Sequence, residues 1–182
     1  MSDKHVCPWW LAYTFDNPLR RFLHDPEAIL SPYLRSGMTA ADLGCGMGFF
    51  SRGMARIVGD AGKVIAVDLQ QEMLDITRKR AERDGIVHRV SFQRAKEDDL
   101  TINEQVDFAL AFWMAHEVND EARFFEQVFS VLKPAGVFLI AEPRMHVTKS
   151  RFEELLKFAE NAGFKISAYP RIRISRAAAF TK

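Results

Sequence analysis

Cysteine is scarce in this chain. Only Cys7 and Cys45 occur among 182 residues, and their spacing fits neither a disulfide framework nor a zinc motif. Stapled mini-domains and cysteine-rich metal centres are excluded, and a reducing compartment is expected. Net charge is nearly absent as well: 25 Lys and Arg face 24 Asp and Glu, a formal +1. No global field draws such a chain onto nucleic acid or an anionic bilayer. Long apolar runs are missing too. The longest nearly apolar stretch, Val106 to Ala115, is ten residues and contains Asp107, far short of the ~20 residues of a membrane helix. The N-terminus carries Asp3, Lys4 and His5 before a short aromatic run, without the apolar segment of a secretory signal. These absences predict a cytoplasmic protein with neither nucleic acid nor membrane as partner.

What is present is an ordinary globular composition, 48% apolar and 27% charged, in a length that suits one domain burying about 70% of its unfolded surface. Composition changes near residue 38. Four of the seven prolines and two of the three tryptophans lie before that point. Asn17-Pro18 and Asp25-Pro26 each read as a helix N-cap followed by proline at the first helical position. They predict short helices near 18–24 and 26–36, with a kink at Pro32 and a stop at Gly37. Residues 1–38 are therefore expected to be a helical lid segment, and 39–182 the core. The C-terminal 39 residues carry nine Lys and Arg against three Glu, a run that is expected to be a solvated face.

From residue 39 short apolar runs alternate with amphipathic stretches of helical period, as parallel strand–helix–strand units require. Strands are expected at Thr39–Leu43, Lys63–Leu69, Val90–Arg94, Val106–Trp113 and Gly136–Glu142. Helices are expected at Phe49–Val58, Gln71–Asp84, Asp120–Leu132, capped by Asn119, and Lys149–Asn161. Phe164–Tyr169 and Ile172–Phe180 follow one another too closely for a parallel crossover and must be antiparallel.

The first strand ends in Asp42-Leu43-Gly44-Cys45-Gly46-Met47-Gly48 and a helix follows directly. Three glycines in five residues allow a sharp turn and a close approach of ligand to main chain. The second strand ends in Asp68, placed to accept hydrogen bonds from ribose hydroxyls. A nicotinamide loop has the spacing G-x-G-x-x-G; here it is G-x-G-x-G, preceded by Asp42. That acid disfavours a pyrophosphate and suits a ligand bearing positive charge, such as an amino group.

On these residues the chain resembles the class I S-adenosylmethionine-dependent methyltransferases. Asp42-x-Gly44-x-Gly46-x-Gly48 looks like their first motif and Asp68 like the acid ending their second. Phe112-Trp113-Met114-Ala115-His116-Glu117-Val118 is similar to their segment after the fourth strand, and Leu132-Lys133-Pro134-Ala135-Gly136 to their turn before the fifth. The likeness covers roughly residues 39–182. It implies an α/β, Rossmann-like seven-stranded sheet, five strands parallel and a C-terminal antiparallel hairpin, with flanking helices. It implies S-adenosylmethionine as cofactor. Gly44 and Gly46 would line its methionine part, Asp68 its ribose, and Leu69 and Met73 its adenine, with Cys45, Gly48 and Phe112 completing the contact set. Many relatives read the adenine edge with an Asp-Ala pair after the third strand; Ala95-Lys96-Glu97-Asp98 stands here instead, which leaves Glu97 or Asp98 for that contact.

Methyl transfer needs reactants held close, aligned and dry, without metal or covalent nucleophile. The spare material for a cover is the N-terminal segment, where Trp9, Trp10 and Tyr13 crowd into five positions and would approach a sulfonium face-on. His116, just beyond the fourth strand, is the candidate base. Arg144 and His146, after the fifth, are candidates for binding a substrate carboxylate. His5 and Cys7 are two ligands only and make no closed metal site, which His116 or His146 would have to complete; no metal is expected. The reading is methyl transfer to a small molecule by a monomer or homodimer; a non-catalytic module binding the same cofactor or its homocysteine product, and aminopropyl transfer on the same fold, are the alternatives.

Overall fold

A computed structural model describes residues 23–182. The expectations for residues 1–22, among them the helix near 18–24 and the ring cluster Trp9, Trp10 and Tyr13, lie outside the described residues. After a short helix α1 (Pro26–Leu30), the chain runs β1 (Thr39–Leu43), α2 (Phe49–Val58), β2 (Lys63–Asp68), α3 (Gln71–Arg83), β3 (Val90–Arg94), β4 (Val106–Phe112), α4 (Glu121–Val131), β5 (Leu132–Pro143), α5 (Lys149–Asn161), β6 (Lys165–Ala168) and β7 (Ser175–Thr181). The seven strands form one sheet in the order β3-β2-β1-β4-β5-β7-β6. The first five pair in parallel, and β7 runs antiparallel between β5 and β6. This is the Rossmann-like architecture the sequence implies.

The inner parallel strands are buried on both faces, so their residues alternate between two cores rather than between core and solvent. Ala40, Val64, Ala66, Phe108, Leu110 and Leu139 face α1, α2 and α3. Their neighbours Ala41, Ile65, Val67, Ala109, Phe138 and Ile140 face α4 and α5. Phe138 packs against Phe124, Phe125, Phe164 and Phe180, with ring centroids 5.5–6.5 Å apart. Burying each such side chain contributes about 1.5–3 kcal/mol.

Local chemistry moves several boundaries. α1 stops at Leu30 rather than reaching 36: its cap Ser31 keeps helical backbone (φ −57°, ψ −25°), but Pro32 has no N–H with which to continue the ladder. Its partners Leu30 and Leu34 are fully built into the core, so residues 24–34 belong to the domain body. The cap of α4 is Asp120, whose side chain accepts the Arg123 N–H, and not Asn119. β5 begins at Leu132 and extends the fifth strand through the turn at Lys133–Gly136. β6 and β7 are joined by residues 169–174, longer than the two-residue link expected, because Ile172 accepts the Ser175 N–H in a turn and Ile174 takes a positive φ of 51°.

At the amino ends of the strands, Asp107 on β4 accepts the Thr39 N–H (2.8 Å) and binds Lys133 Nζ with both oxygens (2.8 and 2.9 Å). Burial pushes its carboxyl up, but the Lys133 ammonium and the Thr39 N–H outweigh that, and the net value is below the ordinary one for aspartate. A lowered carboxyl stabilises the fold above its unfolded-state value and loses that contribution as the pH falls through the folded value. We therefore expect Asp107→Asn to cost about 1 kcal/mol at pH 7 after screening of this half-exposed pair. Urea unfolding should show the gap between variant and parent narrowing as the pH falls below the ordinary carboxylate range. A pH-independent gap would mean that shape, not charge, matters at this position.

Candidate functional site

The strand order reverses between β1 and β4, which are neighbours although the chain leaves β1 toward β2 and β3 before returning. Open α/β sheets bind ligands at such a reversal, beyond the carboxyl ends of the strands. The loops following β1, β2, β4 and β5 meet at that edge.

The loop after β1 is fastened from below. Cys45 N–H donates to Val67 O (2.9 Å), and Gly48 N–H to Cys45 O (3.0 Å). Gly46 N–H donates to Asp68 Oδ2 (2.9 Å), while Gln70 N–H donates to Asp68 Oδ1 (3.0 Å). From α3, Thr77 Oγ1 donates to Gly46 O (2.8 Å) and Arg80 to Met47 O (3.1 Å). All three loop glycines have positive φ, yet they do different things. A Cβ on Gly48 would lie 2.5 Å from Thr77 Cγ2, and one on Gly44 would lie 2.9 Å from Met114 Cβ. Among the described residues a Cβ on Gly46 would meet nothing within 4 Å. Gly44 and Gly48 are therefore required by packing, whereas Gly46 turns an open main-chain surface outward.

Asp42 is buried beneath this loop, 2% exposed, where the Ser51 hydroxyl donates to its Oδ2. It ties the end of β1 to the first turn of α2. Asp68 is 9% exposed, and burial pushes its carboxyl up against the lowering effect of the Gln70, Gly46 and Leu69 N–H groups. Burial raises the Cys45 thiol well above its usual range, and the charges of Asp68 and then Asp42 push the same way. Cys45 is thus an inert loop residue, its S–H directed to Gly46 O. Two carboxylates under one open turn create negative potential, which favours a ligand with positive charge. Each Asp68 oxygen accepts two hydrogen bonds when ionised; with the Gly46 N–H on one oxygen, the Gln70 N–H on the other and the Leu69 N–H adding to them, capacity for a hydroxyl donor remains.

Leu69 and the buried Met73 flank the start of α3 beside Asp68. Glu97 and Asp98 are both exposed. Arg123 and Gln127 on α4 donate to the Asp98 carbonyl (2.8 and 3.0 Å), and Arg123 pairs with its carboxylate at 3.4 Å. Asp98 is therefore drawn toward α4. Phe112 is buried, its ring 4.3 Å from that of Phe50 and edge-on to His24. It walls the site from the core side.

After β4 the chain turns sharply. Trp113 has φ 61°, a strained value for a bulky residue, and is held by Trp113 N–H to Ala141 O (2.7 Å) and Nε1–H to Ser175 Oγ (2.9 Å). The turn sends Met114 onto Gly44 and begins a short 3₁₀ turn, Ala115–Glu117. His116 Nδ1 hydrogen-bonds Glu142 Oε2, and Ala115 N–H donates to Glu142 Oε1 (2.9 Å). Glu142 is wholly buried and the His116 side chain is 21% exposed. The His146 ring lies parallel to that of His116 at 6.4 Å. Arg144 is exposed and donates through Nε to Ser175 O (3.0 Å). Thr77, Ser51 and Glu142 were not singled out from sequence, and Met114 was named only as part of the segment after the fourth strand; of the other three, only Ser51 lies near enough to a motif to have suggested itself.

Among the described residues no group of three or more His, Cys, Asp and Glu is placed to hold a metal ion, and no helix is long and apolar enough to cross a membrane.

Comparison with known proteins places this arrangement. A family model described as a methyltransferase domain matches residues 34–167. The ubiquinone/menaquinone biosynthesis C-methyltransferase of Vibrio campbellii is 33% identical over 109 residues, 59% of this chain and 42% of the relative. That of Cronobacter sakazakii is 30% identical over 140 residues, 76% of this chain and 53% of the relative. The chain thus spans about half the length of the curated relatives it matches. Among solved structures, a SAM-dependent methyltransferase from Aquifex aeolicus superposes with a TM-score of 0.86 at 25% identity, over 97% of this chain and 99% of that one.

Proposed function

The chain belongs to the methyltransferase-domain family, and from that premise we propose that it transfers a methyl group from S-adenosylmethionine to a small-molecule acceptor. The observation that carries the reading is the open main chain of Gly46, lying directly on the Asp68 carboxylate. A cofactor bearing a ribose, an ammonium and a sulfonium fits that cradle in shape and sign. Gly44, Cys45, Gly46 and Gly48 line its methionine part through the backbone. Asp42 supplies negative potential from beneath and acts through the loop it holds. Asp68 accepts the ribose hydroxyls, and Leu69 and Met73 flank the adenine. Of the two acids after β3, Glu97 is assigned to the adenine edge, because Asp98 is engaged with Arg123. Phe112 closes the inner wall.

When bound, the cofactor supplies an electrophilic methyl on sulfur, and the protein's task is to align an acceptor with it and exclude water. His116 is the group assigned to the proton of the acceptor. Arg144 and His146, after β5, form the outer rim of the acceptor pocket. Residues 39–182 are the cofactor-binding core in this reading. Since residues 24–34 are part of the domain body, the cover is assigned to the segment ahead of them, with Trp9, Trp10 and Tyr13. A cytoplasmic monomer or homodimer acting on a metabolite completes the assignment.

Isothermal calorimetry tests it. S-adenosylmethionine and its homocysteine product should both bind, and NADH should not, since Asp42 opposes a pyrophosphate at this loop. Tight NADH binding without S-adenosylmethionine binding would overturn the assignment.

A further inference from the structure

We propose that Glu142 is the positioning residue of a general base on His116, and that the acceptor is therefore a weakly acidic hydroxyl or carbon acid rather than a thiol or amine. The inference rests on the methyltransferase reading and adds to it a substrate class.

A wholly buried carboxylate is costly unless its hydrogen bonds are complete. Glu142, one residue from the end of β5, has its two oxygens divided between the Ala115 N–H and His116 Nδ1. Fastening the end of β4 to β5 does not require it, because Trp113 N–H already donates to Ala141 O one residue away. Its distinctive effect falls on the imidazole. Donation from Nδ1–H to a carboxylate fixes the tautomer in which Nε2 carries the lone pair, and a fixed anion favours proton uptake at Nε2. The surrounding charges agree in sign on two sides of the ring: Glu142 on β5 and, 4.0 Å from Nε2, the Glu117 carboxylate on the same 3₁₀ turn. His146, parallel at 6.4 Å, opposes protonation only when itself charged. The location is also right. Met114, two residues earlier, packs on Gly44 of the cofactor loop, so the base and the cofactor cradle are walls of one crevice.

The step balances simply. The acceptor's O–H or C–H bond breaks and its proton passes to Nε2. The electron pair left behind forms the new bond to the methyl carbon. The methyl–sulfur bond breaks with its pair remaining on sulfur, which leaves neutral as a thioether. The imidazolium, countered by Glu142, then returns its proton to solvent. A thiol is acidic enough to react without such a device, and a neutral amine attacks before losing its proton.

Glu142→Gln tests the pair. The glutamine carbonyl can still accept the Ala115 N–H, but its amide group donates toward Nδ1 and drives the proton to Nε2. In ligand-free protein, ¹⁵N NMR of the His116 ring should report the opposite tautomer, and its titration midpoint should fall by about one pH unit or more. Methylation of catechol or of a 1,3-diketone by the parent protein should drop about 10²- to 10⁴-fold in kcat, with S-adenosylmethionine affinity unchanged by calorimetry. His116→Ala should lose as much, and the double variant no more. An unmoved tautomer and midpoint, or a loss of melting temperature with kcat preserved, would overturn the base. Methylation of 2-mercaptoethanol or methylamine only, or of no probe at all, would overturn the acceptor class. If the parent does not bind S-adenosylmethionine, it is the underlying reading that fails.

Discussion

Replacing Asp68 with alanine is expected to weaken S-adenosylmethionine binding by about 1.5–3 kcal/mol, roughly 10- to 100-fold, through loss of charge-assisted bonds to the ribose. Fold stability should respond quite differently. Burial holds the Asp68 carboxyl above its ordinary value, so the native state binds a proton more readily than the unfolded chain. Between the two values stability falls as pH rises, and at neutral pH the ionised group weighs against the fold. Removing it relieves that penalty while leaving the Gly46 and Gln70 N–H groups without their acceptor, and these opposing effects predict little net change in melting temperature. The parent's affinity should also decline on acidification, as Asp68 takes up its proton at a higher pH than an exposed aspartate would. Calorimetry of the variant beside a thermal melt is decisive. Unchanged affinity would remove Asp68 from the ribose; a collapse of stability would make it a structural acid.

The second large effect separates the three loop glycines. Gly48→Ala should lose about 2–5 kcal/mol of stability, because its Cβ meets Thr77 Cγ2 at 2.5 Å at a φ of 77°, combining overpacking with left-handed strain. Gly46→Val should behave in the opposite way. Among the described residues no atom lies within 4 Å of its Cβ position, so the domain should fold without a clash, at the cost of about 1–2 kcal/mol or more that a φ of 52° imposes on a β-branched residue. The branched side chain would then stand where the cofactor has to lie, and binding should fall by more than 100-fold, beyond the roughly 3 kcal/mol of a single lost polar contact. Circular dichroism and calorimetry on both variants give the pattern. If Gly46→Val binds normally, the cofactor does not cross this turn, and if Gly48→Ala melts like the parent, Thr77 yields and the loop is not pinned by packing.

Much of this protein was legible in its sequence because much of it is decided locally. A parallel strand buried on both faces reads as an apolar run, an edge strand as an alternating one, and an amphipathic helix at its own period, which is why β1, β3, α2 and α5 lie at their expected limits. The glycine loop and Asp68 were legible for the same reason: each stands at the carboxyl end of a strand, and the backbone freedom a close ligand requires is written in residue type. Local choices between adjacent candidates were less determinate. Asn119 and Asp120 are both good caps, and the selection of Asp120 depended on where the first turn of α4 packs.

Tertiary structure alone decided what touches the loop. Thr77 comes from α3, 31 residues beyond Gly46, and Glu142 reaches His116 across 26 residues from a neighbouring strand. No periodicity marks either one, because a threonine on a buried helix face and a glutamate at a strand end look in sequence like ordinary members of their elements. Their roles arise only when the crossovers set β1 beside β4 and β4 beside β5, bringing residues distant in the chain within hydrogen-bonding reach. The sequence determined that the chain turns sharply on three glycines at the end of β1; the packing determined which glycine is open, which carboxylate is spent on the fold, and which one faces an imidazole.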